Sequence, residues 1–235
     1  MNYNSRRIFR CSKEVNRIKK RQTKLKVLSP DIPQELPHLI FSNRKISNED
    51  YFGIGIISDC IIEEQIAEHI VFDKIIFENV TFQHVDFSGL ELTDVIFKKC
   101  DLSNVDFSEA IMHRVEMEDC KILGLNITGA TLRNVLFDNC YGDYATFRNA
   151  NCKQVKFHNS SLANADFYTS TLLNVEFSNS NLDQIQLSGT KLAGIDLSSC
   201  NFRQIGVTTK DLQGCIVSPQ QAVVFSKLFG LIVNE

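Results

Sequence analysis

The sequence predicts an all-β solenoid whose coil is about square, and three regularities carry that prediction. From Phe72 to Leu212 an apolar side chain returns at every fifth position without an insertion, lost once at Gly142; the series runs through Phe77, Phe82, Phe87, Leu92 and Phe97 to Leu197, Phe202 and Val207. Two residues before its members sits a smaller series, Val95, Cys100, Val105, Ala110, Val115, Cys120 and so on. Residues 20 apart are also alike: Val95, Val115, Val135, Val155 and Val175 form one column, Cys100, Cys120, Cys140, Ser160, Ser180 and Cys200 another, and Phe77, Phe97, Met117, Phe137, Phe157 and Phe177 a third.

A period of five fits neither the 3.6 of an amphipathic helix nor the 2 of a half-buried strand, so the repeat is itself the structural unit. Four repeats per coil put the columns in register. About seven coils over residues 70–212, each rising roughly 4.8 Å, give a rod on the order of 34 Å long. Each coil buries its apolar residues only against its neighbours, so a coil alone would not fold.

Segments such as Ala165-Asp166-Phe167, Val105-Asp106-Phe107 and Ile195-Asp196-Leu197 carry a small residue, then Asp, then Leu or Phe. In this the chain resembles the pentapeptide-repeat family. The resemblance implies a right-handed quadrilateral β-helix, a pentapeptide-repeat solenoid with both the large and the small residue pointing inward. The hand comes from the resemblance alone.

Residues 1–26 hold ten Lys and Arg against the single Glu14, a local charge of about +9. They read as a disordered leader, the alternative being a basic arm for nucleic acid or anionic lipid. Pro30, Pro33 and Pro37 punctuate an extended linker up to residue 50. Residues 51–69 keep the count through Phe52, Ile57, Ile62 and Ala67 with poorer small partners, and are expected to form a cap or an irregular first coil.

Within the rod, Tyr141-Gly142-Asp143-Tyr144 breaks the pattern by placing Gly where Phe or Leu belongs. A bulge or kink there, with the tyrosines packed back on the wall, is one expectation. The other is a contact surface made by Tyr141, Gly142 and Tyr144.

Beyond Leu212, in residues 213–235, Ser218, Pro219 and Gly230 mark the start and end of a short α-helix. Its apolar residues Ala222, Val224, Phe225, Leu228 and Phe229 must pack on something. They could lid the last coil. They could instead pair with a second copy, because Gln221-Ala222 and Leu228-Phe229-Gly230-Leu231 are similar to the dimerising tail of the quinolone-resistance members of the family. The candidate dimer interface is Ala222, Phe225, Leu228, Phe229 and Leu231.

Of the eight cysteines, Cys60, Cys100, Cys120, Cys140, Cys152 and Cys200 fall at inward positions. Serine replaces cysteine in one column, as one small filler replaces another, so the thiols are expected to be reduced and inert. No Cys-x-x-Cys or Cys/His spacing suits a metal, and no glycine-rich loop suits a phosphate. His84, His113 and His158 fall on different sides or distant coils, so no catalytic set converges and no cofactor is expected. With no long apolar run and no signal-like core, no membrane association is expected and the location reads as cytoplasmic.

What remains is a binding surface. Residues 70–211 carry 18 acidic against 12 basic side chains. The first reading is a non-enzymatic interaction scaffold with an unknown protein partner. The alternative, implied by the resemblance, is a DNA mimic that binds DNA gyrase or another type II topoisomerase and protects it from quinolones. Direct nucleic-acid binding is not expected. The unbroken phase leaves no room for the coil-interrupting loops of some resistance proteins.

Overall fold

Every side chain at an inward position must find its partners in the coils before and after it, and the backbone arranges this by stacking equal coils. In the computed structural model, which describes residues 25–41 and 44–234, the strands are β1 (Tyr51–Ser58), β2 (Ile61–Ile66), β3 (Val71–Glu78), β4 (Thr81–Asp86), β5 (Glu91–Lys98), β6 (Ile111–Glu118), β7 (Thr131–Asp138), β8 (Asn151–His158) and β9 (Thr171–Ser178). Seven of them form one parallel sheet in the order β1-β3-β5-β6-β7-β8-β9, and β2 and β4 form a second. Every pairing is offset by 20 residues, as in Phe77↔Phe97 and Val115↔Val135. Isolated parallel bridges such as Lys121↔Tyr141 and Tyr141↔Ser161 continue the other sides at the same offset as far as Gln186↔Gly206, and Asp196↔Ile216 extends the side of Phe77 and Phe97.

The four walls are centred on Phe52, Ile57, Ile62 and Ala67 and on their equivalents 20 residues on. Each long strand spans the first and second walls and bends where they meet. The bend residues Ile54, Lys74, Asp94, Arg114, Asn134, Gln154 and Asn174 all have positive φ. Corners recur every fifth residue, and Asn, which tolerates the left-handed region, holds many of them, including Asn79, Asn104, Asn139, Asn159, Asn164 and Asn179.

Beyond β4 the third and fourth walls are tight turns rather than strands, and this explains the Asp or Asn of the repeat. The side chains of Asp86, Asp101, Asp106, Asn126, Asp166 and Asn181 each accept a hydrogen bond from the amide two residues on. Such a bond closes the turn with a side chain where no strand partner is available.

Inside, phenylalanines stack along the rod, Phe137 on Phe157 at 4.7 Å and Phe157 on Phe177 at 5.1 Å between ring centroids. The Cys100, Cys120 and Cys140 thiols donate to the carbonyls of Phe77, Phe97 and Met117. Ser160 and Ser180 donate to Phe137 and Phe157 in the same geometry. Serine can replace cysteine here because the site asks for a small donor.

Both ends are covered. Residues 51–69 hold β1 and β2, which pair at the 20-residue offset with β3 and β4, and buried Phe41 lies 5.0 Å from Phe52. At the far end α1 (Pro219–Ser226) starts from Ser218, which forms a reciprocal cap with Gln221. Gln221 Nε2 donates to the carbonyls of Leu197 and Cys200, both at 2.8 Å, and Phe225 packs 5.7 Å from Phe202. A 3-10 turn, Lys227–Phe229, then ends at Gly230 with φ 70°.

Candidate interaction surface

The inward space of the coil is filled with side chains, which leaves the walls and edges for chemistry. Among the described residues no group of three or more His, Cys, Asp or Glu is placed to hold a metal ion. His84 bonds Glu64 at 2.9 Å on the third wall, and His158 bonds Asp138 at 2.7 Å on the second. Each histidine thus meets the acid 20 residues before it rather than another functional group. No helix among the described residues is long and apolar enough to cross a membrane.

Charge is unevenly spread: the first wall is near balance, while the second, third and fourth each carry more acids than bases. The third wall carries Glu63, Glu64, Asp101, Asp143 and Asp183, and the fourth Glu68, Asp86, Asp106, Glu109 and Asp166, none of them buried. Lys121, Arg148 and Arg203 are the Lys and Arg of these two walls, and each is tied to an acid already there: Asp101 at 3.5 Å, Asp166 at 3.1 Å and Asp183 at 2.7 Å. Partial burial pushes the Asp106 pKa up, but hydrogen bonds from Ser108 and Asn126 outweigh it and hold the carboxyl below its ordinary value. Asp106 therefore stays ionised at neutral pH.

Tyr141 and Tyr144 lie on the third wall, 61% and 63% exposed. Tyr168 stands on the fourth under the Arg148 guanidinium, which is 5.0 Å from its ring. The ladder runs through Gly142 without a bulge, its amide donating to Ser161 and Tyr141 accepting from Ile122. A methyl at Gly142 would come within 3.0 Å of Ile122 and 3.1 Å of Leu162, so side chains from the coils on either side occupy the vacated volume.

The C-terminal residues divide. Phe225 is 8% exposed and faces the last coil, while Ala222, Leu228, Phe229 and Leu231 are exposed, followed by Ile232 at 95%.

The segment before the coil is a feature that sequence reasoning did not place. Residues 30–37, read as an extended linker, are extended but lie along the edge between the first and second walls. Leu28 and Asp31 donate their amides to Asn134 and Asp94 on that edge. The basic leader falls outside the described residues apart from Leu25 and Lys26.

A closed coil of 20-residue turns stacked in parallel register defines a class: a β-helical repeat protein. Family models match residues 90–167 as a pentapeptide repeat region and residues 150–185 and 180–204 as pentapeptide repeats. The chain belongs to the pentapeptide-repeat family. Among solved structures it is similar to full-length QnrB1, a plasmid-mediated fluoroquinolone resistance protein, at 18% identity and TM-score 0.36, covering 75% of this chain and 100% of that one. It is also similar to HetL, a pentapeptide-repeat protein involved in heterocyst differentiation regulation in the cyanobacterium Nostoc, at 14% identity and TM-score 0.35, covering 75% and 92%. No curated protein matches. Likeness at this level carries none of the functional argument, which rests on the chain's own residues.

Proposed function

We propose that the protein is a non-enzymatic, cytoplasmic interaction scaffold that engages a protein partner through the edge shared by its third and fourth walls. The observation behind this reading is the excess of acids on those walls, with three exposed tyrosines among them. Exposed aromatics supply contact area, and a single-sign field steers a basic partner to them. The opposite edge is covered by the chain's own residues 25–41. Affinity capture with wild-type protein and with a Tyr141→Ala/Tyr144→Ala/Tyr168→Ala variant tests the reading: it expects partners that the variant loses.

The same acidic edge supports a second reading, in which the rod stands in for DNA at a type II topoisomerase. The regular spacing of the acids along the coils favours it, while Lys121, Arg148 and Arg203 and the lack of interrupting loops count against it. A gyrase supercoiling assay with and without quinolone decides. The absence of both inhibition and protection at micromolar protein would end this reading. In both readings the exposed residues Ala222, Leu228, Phe229 and Leu231 form a homodimer contact, with Phe225 holding the helix on the rod.

A further inference from the structure

The edge between the first and second walls is built to hold an extended main chain. Gln154 Nε2 donates to the Lys26 carbonyl at 3.3 Å, the Leu28 amide donates to Asn134 Oδ1 at 3.2 Å, and the Asp31 amide donates to Asp94 Oδ1 at 2.8 Å. Gln154, Asn134 and Asp94 all belong to one corner column. Three residues of extended chain reach roughly 10 Å, and two coils rise about 9.6 Å, so the segment and the rod keep step from Asn134 to Asp94. The corner side chains thus read peptide groups and not a particular side chain.

Beside this column the second wall turns Ile56, Ile76, Ile96 and Leu136 outward, with Glu116 between the last two, and all five are half-buried. In the covering segment Val27, Ile32 and Leu36 are half-buried too. Asp94 and Asn134 are 1% and 6% exposed, although their positions in the repeat point outward. A polar column that takes up main-chain groups, next to an apolar stripe, is the arrangement that binds extended peptides.

We propose that this edge is a binding site for an extended, proline-containing peptide, that residues 25–36 fill it in cis, and that a partner segment of the same build displaces them. The covering segment is lightly held, since no residue from 25 to 38 is buried. Segments with few buried apolar contacts open locally at low cost. The wall beneath is complete without it: Arg114 Nη2 bonds Asp94 Oδ2 at 2.6 Å, and the β5–β6 and β6–β7 ladders run under the segment unbroken. Pro30 and Pro33 lack amide protons, so the segment's donors to the column are concentrated at Leu28 and Asp31. This site is separate from the acidic edge and does not depend on the function proposed for it.

The test uses the full chain with Leu28→Pro and Asp31→Pro, which remove those two donors and leave the wall untouched. A fluorescent synthetic peptide of residues 25–36 is titrated into this variant and into the wild type, with a shuffled peptide as control. The proposal expects saturable binding at least tenfold tighter to the variant than to the wild type, reduced at least tenfold again when Asp94→Ala is added. Four results would overturn it: no binding to a variant whose circular dichroism matches the wild type, equal binding to both proteins, equal binding of the shuffled peptide, or collapse of the β-helix in the variant, which would make the segment part of the fold rather than a ligand.

Discussion

The amide of Asp31 donates to a carboxylate oxygen of Asp94 across 2.8 Å, joining positions 63 apart in the chain. Burial of Asp94 raises its pKa, but the Arg114 guanidinium, the Asp31 amide and nearby Lys74 outweigh this and set it below the ordinary 3.8. A carboxyl depressed on folding stabilises the protein above its unfolded pKa and loses that contribution as pH falls through the folded value. Protection of the Leu28 and Asp31 amides from hydrogen exchange, corrected for intrinsic rates, should therefore hold at pH 6 and fall once pH drops below about 3.8. Asp94→Asn should remove the part of this pH dependence that is specific to the segment. Unchanged acid sensitivity in that variant would assign it to other carboxyls.

Phe157 tests the inward stack. Its ring lies between Phe137 and Phe177 and meets Phe147 and Phe167 edge-on at 5.6 and 5.8 Å. Phe157→Ala should cost about 3–5 kcal/mol, read as a lower urea midpoint at constant slope. Tyr141→Ala, at an exposed position, should stay within about 0.5 kcal/mol. Equal costs for the two would contradict the assignment of inside and outside.

The thiols should be inert. A hydrogen bond with Cys100 lowers the Cys120 pKa, but a second with Cys140 and burial together push it up to about 12, and burial alone takes Cys152 to about 12. Thiolate is the reactive form, so little of it exists at pH 8. Iodoacetamide should leave Cys120 and Cys152 unmodified in native protein and label both in denaturant, as peptide mass spectrometry would show. Rapid native labelling of Cys120 would contradict its place inside the coil.

For the C-terminus, sedimentation at micromolar concentration should give a dimer. Phe229→Asp with Leu231→Asp should give a folded monomer, because both side chains are exposed in the single chain, at 68% and 59%. A wild-type monomer would remove the dimer from the account.

The coil was legible because a period of five admits few backbones and the 20-residue columns fix how the coils stack. The helix start was legible because Ser218, Pro219 and Gln221 form a local signal. The segment over Asp94 was not, since Pro30, Pro33 and Pro37 look the same in a free linker and in a docked one. A trace of it does stand in the sequence: Ile56, Ile76, Ile96 and Leu136 are apolar at outward positions, and an outward apolar column implies a cover. Gly142 misled in the other direction. Its missing side chain suggested a bulge, yet in a stacked coil the neighbours Ile122 and Leu162 can fill the gap and leave the ladder straight.

The scaffold reading stands or falls with the acidic edge. Quantitative crosslinking capture from native cells with wild type, with Asp106→Lys/Glu109→Lys/Asp143→Lys, and with a control reversing Arg133 and Lys153 on the first wall addresses it directly. The account predicts that the acidic-edge variant, still folded by circular dichroism, loses the partners that wild type and control retain. Capture of the same proteins in the same amounts by all three would contradict it.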